Sequence, residues 1–363
     1  MSAIEAAAAI ERGMRQVFAD ADYVRCPMAD GGEGTVDAFV AGGAQARTAR
    51  VCGPLGAPVD AAFAIDGDTA IVEMAAASGL GLLARDTYDP RHTDTYGTGQ
   101  LLLAALDAGA KRVIMGIGGS ATNDVGTGML RALGAHFLDR SGNKLERDIL
   151  AYGKLEKIDL SGIDSRIPDV ELLVAVDVDN PLCGPHGASR TFGPQKGANE
   201  GLVAQLDATL NHIADVAAKA LGRDERDTPG AGAAGGLGFA LIAFLKAKAK
   251  PGVELMARER GLDKLLDGAF LCATGEGKID EQTLHGKTIF GVARLAKRAN
   301  VPVVAFGGAV EACAKAALEA DGVAIRSIAP DGTAPEQSMR DAARLLERAA
   351  RDYAGELNRS PRG

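Results

Sequence analysis

Eight short apolar runs set the limits on what this chain can fold into: YVRCPM (23–28), VDAAFAI (59–65), TAIVEM (69–74), KRVIM (111–115), ELLVAV (171–176), FLCAT (270–274), VPVVAF (301–306) and VAIRSI (323–328). Several are continuous rather than alternating, the pattern of strands covered on both faces. Helical periodicity fills the intervals, at 4–18, 98–109, 201–221, 288–299 and 338–357, and Ser2 is placed to cap the first of these. Strands alternating with helices of this length predict an α/β architecture with a mostly parallel sheet, Rossmann- or flavodoxin-like. Residues 46–73 depart from the alternation, because three strand-like pieces follow one another across the turn signals GPLGAP and DGD; they predict antiparallel pairing. Residues 184–197 and the stretch TPGAGAAGGLG (228–238) read as loops. The expected organisation is therefore two α/β domains, one inserted in the other. Residues 1–45 plus 271–363 form a discontinuous domain, and 46–270 form an inserted, mixed α/β domain with the glycine-rich substrate loops.

The stretch GIGGSATNDVGTGML (116–130) follows directly on KRVIM and runs toward a helical pattern. Glycines after a strand let backbone N–H groups converge on an anion at the next helix's N-terminus, so a phosphate is one reading. A second is a dinucleotide fingerprint, G-x-G-x-x-A at Gly116, Gly118 and Ala121, with Asp139 on the ribose; against it, Asp124 would crowd a pyrophosphate. A third is a tight turn whose glycines serve packing alone. The sequence HGKT (285–288) echoes the end of a P-loop, but Glu281 occupies the place of the required earlier glycine and FLCAT ends too far upstream, which excludes a Walker site.

The other loops combine glycine with carboxylates or lysine: ADGGEGT (29–35), VDVDNPLCG (176–184), GPQKG (193–197), PGAGAAGGLG (229–238) and TGEGKID (274–280). Carboxylate oxygens suit Mg²⁺, which prefers one or two carboxylates plus phosphate and water to a full protein cage. Lysines and backbone N–H groups suit phosphates. Together these are the parts of a phosphoryl transferase, in which positioning and charge neutralisation carry the catalysis. Asp177 and Asp179 stand just beyond ELLVAV, at the strand end where open α/β sheets bind ligands. One could hold Mg²⁺ while the other accepts a hydroxyl proton; an Asx-turn and a cap is the plainer alternative. His186 and His285 lie in these loops without an assigned role.

Composition removes other classes. The chain is 47% hydrophobic and 24% charged with a formal net charge of -8, a soluble globular balance that argues against a nucleic-acid footprint. Cys26, Cys52, Cys183, Cys272 and Cys313 form no CxxC pair; they read as buried or inert thiols in a reducing, cytoplasmic compartment, and no Cys/His spacing supports a structural zinc site. Glu5 and Glu11 interrupt the alanine-rich start, so no signal peptide is expected, and no stretch has the length of a membrane span.

In this order, ADGGEGT, GPLG, TYGTG, GIGGSATND, DVDNPL, GPQKG, PGAGAAGGLG and TGEGKID resemble the bacterial glycerate kinase family that is unrelated to P-loop kinases. The resemblance covers nearly the whole chain. It implies ATP- and Mg²⁺-dependent phosphorylation of D-glycerate, most often to 2-phosphoglycerate, in glyoxylate or related metabolism. Carried onto this sequence, it makes Asp177, Asp179 and Lys196 catalytic, with one aspartate taking the hydroxyl proton. Asp30, Glu33, Ser120, Thr122 and Asn123 would bind substrate. Gly118, Gly119, Gly275 and Lys278 would bind the nucleotide, and Asp179 and Glu276 the metal. No nucleic-acid or membrane partner is implied; a homo-oligomer is compatible. The family's opening strand and its loop resembling APDSFKGSLS have no counterpart here, and Ser2–Glu5 corresponds to the loop's end. Loss of that lysine-bearing loop would suit a non-catalytic metabolite-binding relative, which is the alternative reading. Val125 and Glu281 stand where the family usually has glycine, and a β-branched Val125 is expected to exclude positive φ.

Overall fold

The computed structural model describes residues 1–285, 288–330 and 332–359. Two compact units emerge, 31–252 and 1–30 with 253–363, so that one unit's sequence interrupts the other's. The divisions fall at Asp30/Gly31 and Gly252/Val253 rather than at 45/46 and 270/271. The reason at the first is that helix Thr35–Ala41 buries Val36, Ala38 and Phe39 and packs on the antiparallel strands that follow it.

Unit 31–252 is built on a six-stranded mixed sheet. Its first strands are β1 (Gln45–Cys52), β2 (Pro58–Asp66) and β3 (Thr69–Glu73), which form the expected antiparallel meander. To β3 are added in parallel β4 (Arg112–Gly116), then, skipping the hairpin pair β5 (His136–Asp139) and β6 (Leu155–Asp159), β7 (Glu171–Ala175) and β8 (Lys248–Lys250). The apolar runs of β3, β4 and β7 are buried almost throughout, as strands covered on both faces must be. Helices Tyr96–Asp107 and Glu200–Leu221 contribute Leu101, Leu102, Leu206, Leu210 and Ile213 to the same core.

The other unit has a three-stranded parallel sheet, β9 (Cys272–Ile279), β10 (Val303–Val310) and β11 (Val323–Ser327), with β10 in the middle. Helix Ala3–Arg15 is capped as expected, Ser2 and Glu5 forming a reciprocal capping box. It packs on helix Ala342–Arg359, with Ala9, Met14, Leu346, Ala350 and Tyr353 in a shared cluster with Phe306.

Four local expectations are corrected. Residues 23–28 form no strand: Pro27 has no N–H to give a ladder, and β9 pairs only with β10. The strand expected to stop at Thr274 runs on to Ile279, so TGEGKI is strand rather than loop. The stretch read as a loop at 228–238 stays irregular through the left-handed backbone of Ala234, Gly235 and Gly236 and is helical only in its last residues, within Ala233–Ala243. The C-terminal helical pattern divides in two at Asp341. The five cysteines are free; four are at least half-buried, but Cys313 is exposed. No described helix is long and apolar enough to cross a membrane. Gly286 and Lys287 of HGKT lie outside the described residues.

Candidate active site

The parallel registers of unit 31–252 align Glu73 with Gly116 and Gly116 with Ala175. The glycine turn after β4 and the loop carrying Asp177 and Asp179 therefore leave neighbouring strands at the same C-terminal end of the sheet, where ligands of open α/β sheets bind. The loop at 31–34 lies against this end because two glycines permit it. A Cβ on Gly116 would stand 2.1 Å from the Gly31 carbonyl oxygen, and one on Gly31, itself at φ 91°, 2.5 Å from the Ala175 Cβ. Glu73 is buried beneath the loop and accepts the Val36 N–H at the start of helix Thr35–Ala41. Burial raises its carboxyl above the ordinary range, against the opposing pull of the Val36 and Gly34 N–H groups.

The turn itself has an exposed and a buried half. Gly118 and Gly119 are exposed, and the N–H groups of Gly119 and Ser120 donate to no described residue. The Glu33 side chain is exposed beside them, its Oε1 3.7 Å from where a Cβ on Gly119 would lie. From Ser120 onward the chain turns inward, and Thr122, Asn123 and Asp124 are all but inaccessible. Lys196, brought in by the short 3₁₀ turn Pro194–Lys196, is 2% exposed and sits under the turn. Its Nζ is 2.7 Å from Ser120 Oγ and donates to the Thr122 carbonyl at 2.6 Å. Burial pushes this amine down to about 7, opposed by the Asp124 carboxylate.

Asp124 organises the buried half. Its carboxylate accepts from Thr95 N (2.9 Å), Thr95 Oγ1 (2.8 Å), Gly126 N (3.1 Å) and Gly128 N (3.1 Å). Asn123 Nδ2 donates to Ser189 Oγ at 2.9 Å, while Asn123 Oδ1 and Thr122 Oγ1 have no hydrogen-bond partner among the described residues. Val125 adopts φ 56°, contrary to the expectation that a β-branched residue forbids it; its N–H donates to the Gly235 carbonyl at 3.0 Å. Helix Thr127–Ala132 begins well past the exposed glycines, so the turn is not the N-terminus of a helix. Asp139 supports no dinucleotide fingerprint either: it accepts from Ser141 N and Asn143 N within the β5 hairpin. Thr95, Ser189 and Glu73 were not singled out from sequence. The TYGTG motif pointed to the first; nothing in the sequence marks the other two, which meet the site only through the tertiary fold.

The remaining candidates are more dispersed. Asp177 Oδ1 accepts the Gly252 N–H at 2.7 Å, which ties its loop to the end of β8. Asp179 is exposed and makes no hydrogen bond or ion pair with a described residue. Asp30, Gly275, Glu276 and Lys278 belong to the other unit. There Gly275 pairs with Phe306, and Lys278 forms ion pairs with Glu311 at 2.7 Å and Asp280 at 3.4 Å. The Glu276 carboxylate accepts from Ile289 N (3.0 Å) at the start of helix Thr288–Arg298 and from Thr283 Oγ1 (3.1 Å). Among the described residues no group of three or more His, Cys, Asp or Glu side chains forms a cage for a metal. The donor set present, a free exposed carboxylate at Asp179, fits a Mg²⁺ ion that takes its other ligands from phosphate and water.

Residues 1–358 match the model of the glycerate kinase family. The chain is 49% identical over 360 residues to a Bacillus subtilis (strain 168) protein named glycerate kinase, covering 98% of this chain and 94% of that one. It is 51% identical over 314 residues to an Escherichia coli (strain K12) protein named glycerate 2-kinase, covering 85% of this chain and 82% of the relative. Among solved structures it is similar to a Salmonella typhimurium LT2 chain provisionally assigned as glycerate kinase 2, with a TM-score of 0.87 and 43% identity over 99% of this chain and 95% of that one. The chain belongs to the glycerate kinase family.

Proposed function

We propose that this chain is an ATP-dependent kinase that phosphorylates D-glycerate to 2-phosphoglycerate in the cytoplasm, in glyoxylate or related metabolism. The observation that carries the reading is the turn after β4: two exposed glycines, with the N–H groups of Gly119 and Ser120 uncommitted, held over a buried lysine. Uncommitted backbone N–H groups of this kind receive an anion, here glycerate's carboxylate or the transferring phosphate. Glu33 beside them is suited to a glycerate hydroxyl. Ser120 completes that part of the site, the fully buried Thr122 and Asn123 support it from beneath, and Asp30 is a further candidate for a glycerate hydroxyl. The name of the Escherichia coli relative supports the 2-position.

Mg²⁺ would be held by Asp179, with Asp177 fixing the loop that carries it; bound there, it would neutralise phosphate charge. Glu276, also a metal candidate, already spans the start of helix Thr288–Arg298, so its first role is to order that segment. Gly275 and Lys278 are assigned to the nucleotide, and the two compact units to the two domains. Phosphorus NMR of the purified chain with Mg-ATP and D-glycerate tests the reading. A 2-phosphoglycerate resonance is expected, a 3-phosphoglycerate resonance would correct the position, and binding of glycerate or ATP without any ADP formed would replace the kinase by a non-catalytic binding protein.

A further inference from the structure

Phosphorylating an alcohol requires that its hydroxyl proton leave, and the buried pair at Ser120 and Lys196 is arranged to take it. Lys196 has no carboxylate within ion-pair distance among the described residues; its polar partners are Ser120 Oγ and the Thr122 carbonyl. An ammonium buried without a counter-ion is costly, so the neutral amine is the form this site favours. A neutral amine has one lone pair. The bond to Ser120 is drawn with Lys196 as donor, as for the ammonium; in the neutral amine one N–H serves the Thr122 carbonyl and rotation turns the lone pair to the Ser120 hydroxyl proton, which leaves the oxygen lone pairs of Ser120 for a second donor. Ser120 is 7% exposed and follows directly on exposed Gly119, so that donor can come from a ligand on the turn.

We infer that Ser120 and Lys196, in place of the aspartate expected at 177 or 179, form a proton relay that carries the acceptor hydroxyl's proton away during phosphoryl transfer, an inference that rests on the kinase reading above. As the glycerate oxygen bonds to the γ-phosphorus, the bond from phosphorus to the β,γ-bridging oxygen breaks and its electron pair leaves with ADP. The glycerate proton passes to Ser120 Oγ, and the Ser120 proton passes to Lys196 Nζ. Lys196 ends as an ammonium and returns its proton through Ser120 after the product departs. Asp124 is the titratable group that faces Lys196; it is itself saturated by Thr95, Gly126 and Gly128, with Asp94 and Arg131 next in the charge network. Because the relay needs the free amine, turnover rises with pH through the value near 7 that burial gives Lys196.

The test is the kcat–pH profile of the full chain from pH 6 to 9, for the wild type, Ser120→Ala, Ser120→Thr and Lys196→Met, with nucleotide binding measured alongside as a check on folding. Ser120→Ala removes one oxygen and keeps the Lys196 bond to Thr122. Its kcat is expected to fall about 100-fold or more, a larger change than that in KM for glycerate, with the rise near pH 7 abolished. Ser120→Thr, which keeps a hydroxyl, recovers part of the loss. A Ser120→Ala kcat within threefold of wild type on the same profile, or a flat wild-type profile, overturns the relay alone. No phosphoglycerate from the wild type at any pH overturns the kinase reading and the relay with it.

Discussion

Val125 gives a sharp test of the backbone beneath the turn, because its left-handed conformation reverses an ordinary preference. At φ 56° an L-residue is disfavoured against glycine by roughly 1–2 kcal/mol. At an ordinary buried site the preference runs the other way: alanine is better than glycine by about 0.5–1 kcal/mol in chain entropy, with up to about 0.8 kcal/mol more for the methyl group buried. Val113 is such a site, fully buried in β4 of the same unit. The two pairs Val125→Ala, Val125→Gly and Val113→Ala, Val113→Gly therefore form a comparison in which entropy and methyl burial cancel. What remains is the left-handed cost, about 1–2 kcal/mol. At position 125 glycine is expected to equal or exceed alanine, while at 113 alanine is clearly better. Urea denaturation of the four variants at one pH, followed by a signal from this unit, supplies the difference. An alanine advantage at 125 within about 0.5 kcal/mol of that at 113 would refute the assigned backbone, since it would leave no left-handed penalty to be relieved.

Asp124→Ala leaves three buried backbone N–H groups and the Thr95 hydroxyl without their acceptor, and is expected to cost about 3 kcal/mol or more in the same denaturation experiment. Gly97→Ala places a Cβ 1.8 Å from the Cys52 carbonyl oxygen; the forced shift of helix Tyr96–Asp107 against β1 should cost about 1–3 kcal/mol, and an unchanged urea midpoint would exclude this packing. The raised carboxyl of Glu73 contributes its stability below the ordinary value of 4.5 and loses it as pH rises through the higher folded value. Wild type should therefore lose ground to Glu73→Gln as pH rises above 4.5 and through that higher value, as measured by melting temperature at each pH. Lys196 acts in the opposite sense: its amine is lowered from 10.5 to about 7, so wild type should gain on Lys196→Met as pH rises through that interval, and parallel melting curves would show that burial does not perturb the amine.

Those residues also mark where the sequence was readable and where it was not. Strands β3, β4 and β7 were legible because burial on both faces demands continuous apolar runs, and the antiparallel start was legible because its turns are short and glycine-bearing. The later part of β9 was hidden because Gly275 and Gly277 look like loop residues, although their backbones still pair with β10 or lie within the strand. Helix Ala233–Ala243 was hidden for the converse reason, a left-handed break inside an alanine- and glycine-rich stretch that no helical period describes. At the site, residue types pointed to anion chemistry, but depth did not follow from type. Lys196 and Lys278 read alike in sequence; one is 2% exposed beneath a turn and the other is an exposed partner of Glu311 and Asp280.

Depth has a physical consequence for how such a turn can work. Phosphate-binding glycine turns commonly lead straight into a helix whose N-terminus fixes their N–H groups. Here helix Thr127–Ala132 starts several residues too late to orient Gly119 and Ser120, and glycine is a poor residue for holding an uncommitted backbone in one conformation. Orientation has to come from below. The Lys196 bonds to Ser120 and Thr122 and the four bonds to Asp124 clamp the turn on the two sides of Ala121, whose own N–H is held by the Ser78 carbonyl. A buried polar cluster of this kind is costly unless every member is satisfied. Asn123 Oδ1 and Thr122 Oγ1 are not satisfied. Both atoms lie in the inaccessible half of the turn, so their cost falls on the fold beneath it, while the uncommitted N–H groups of Gly119 and Ser120 are what the exposed half offers an incoming ligand.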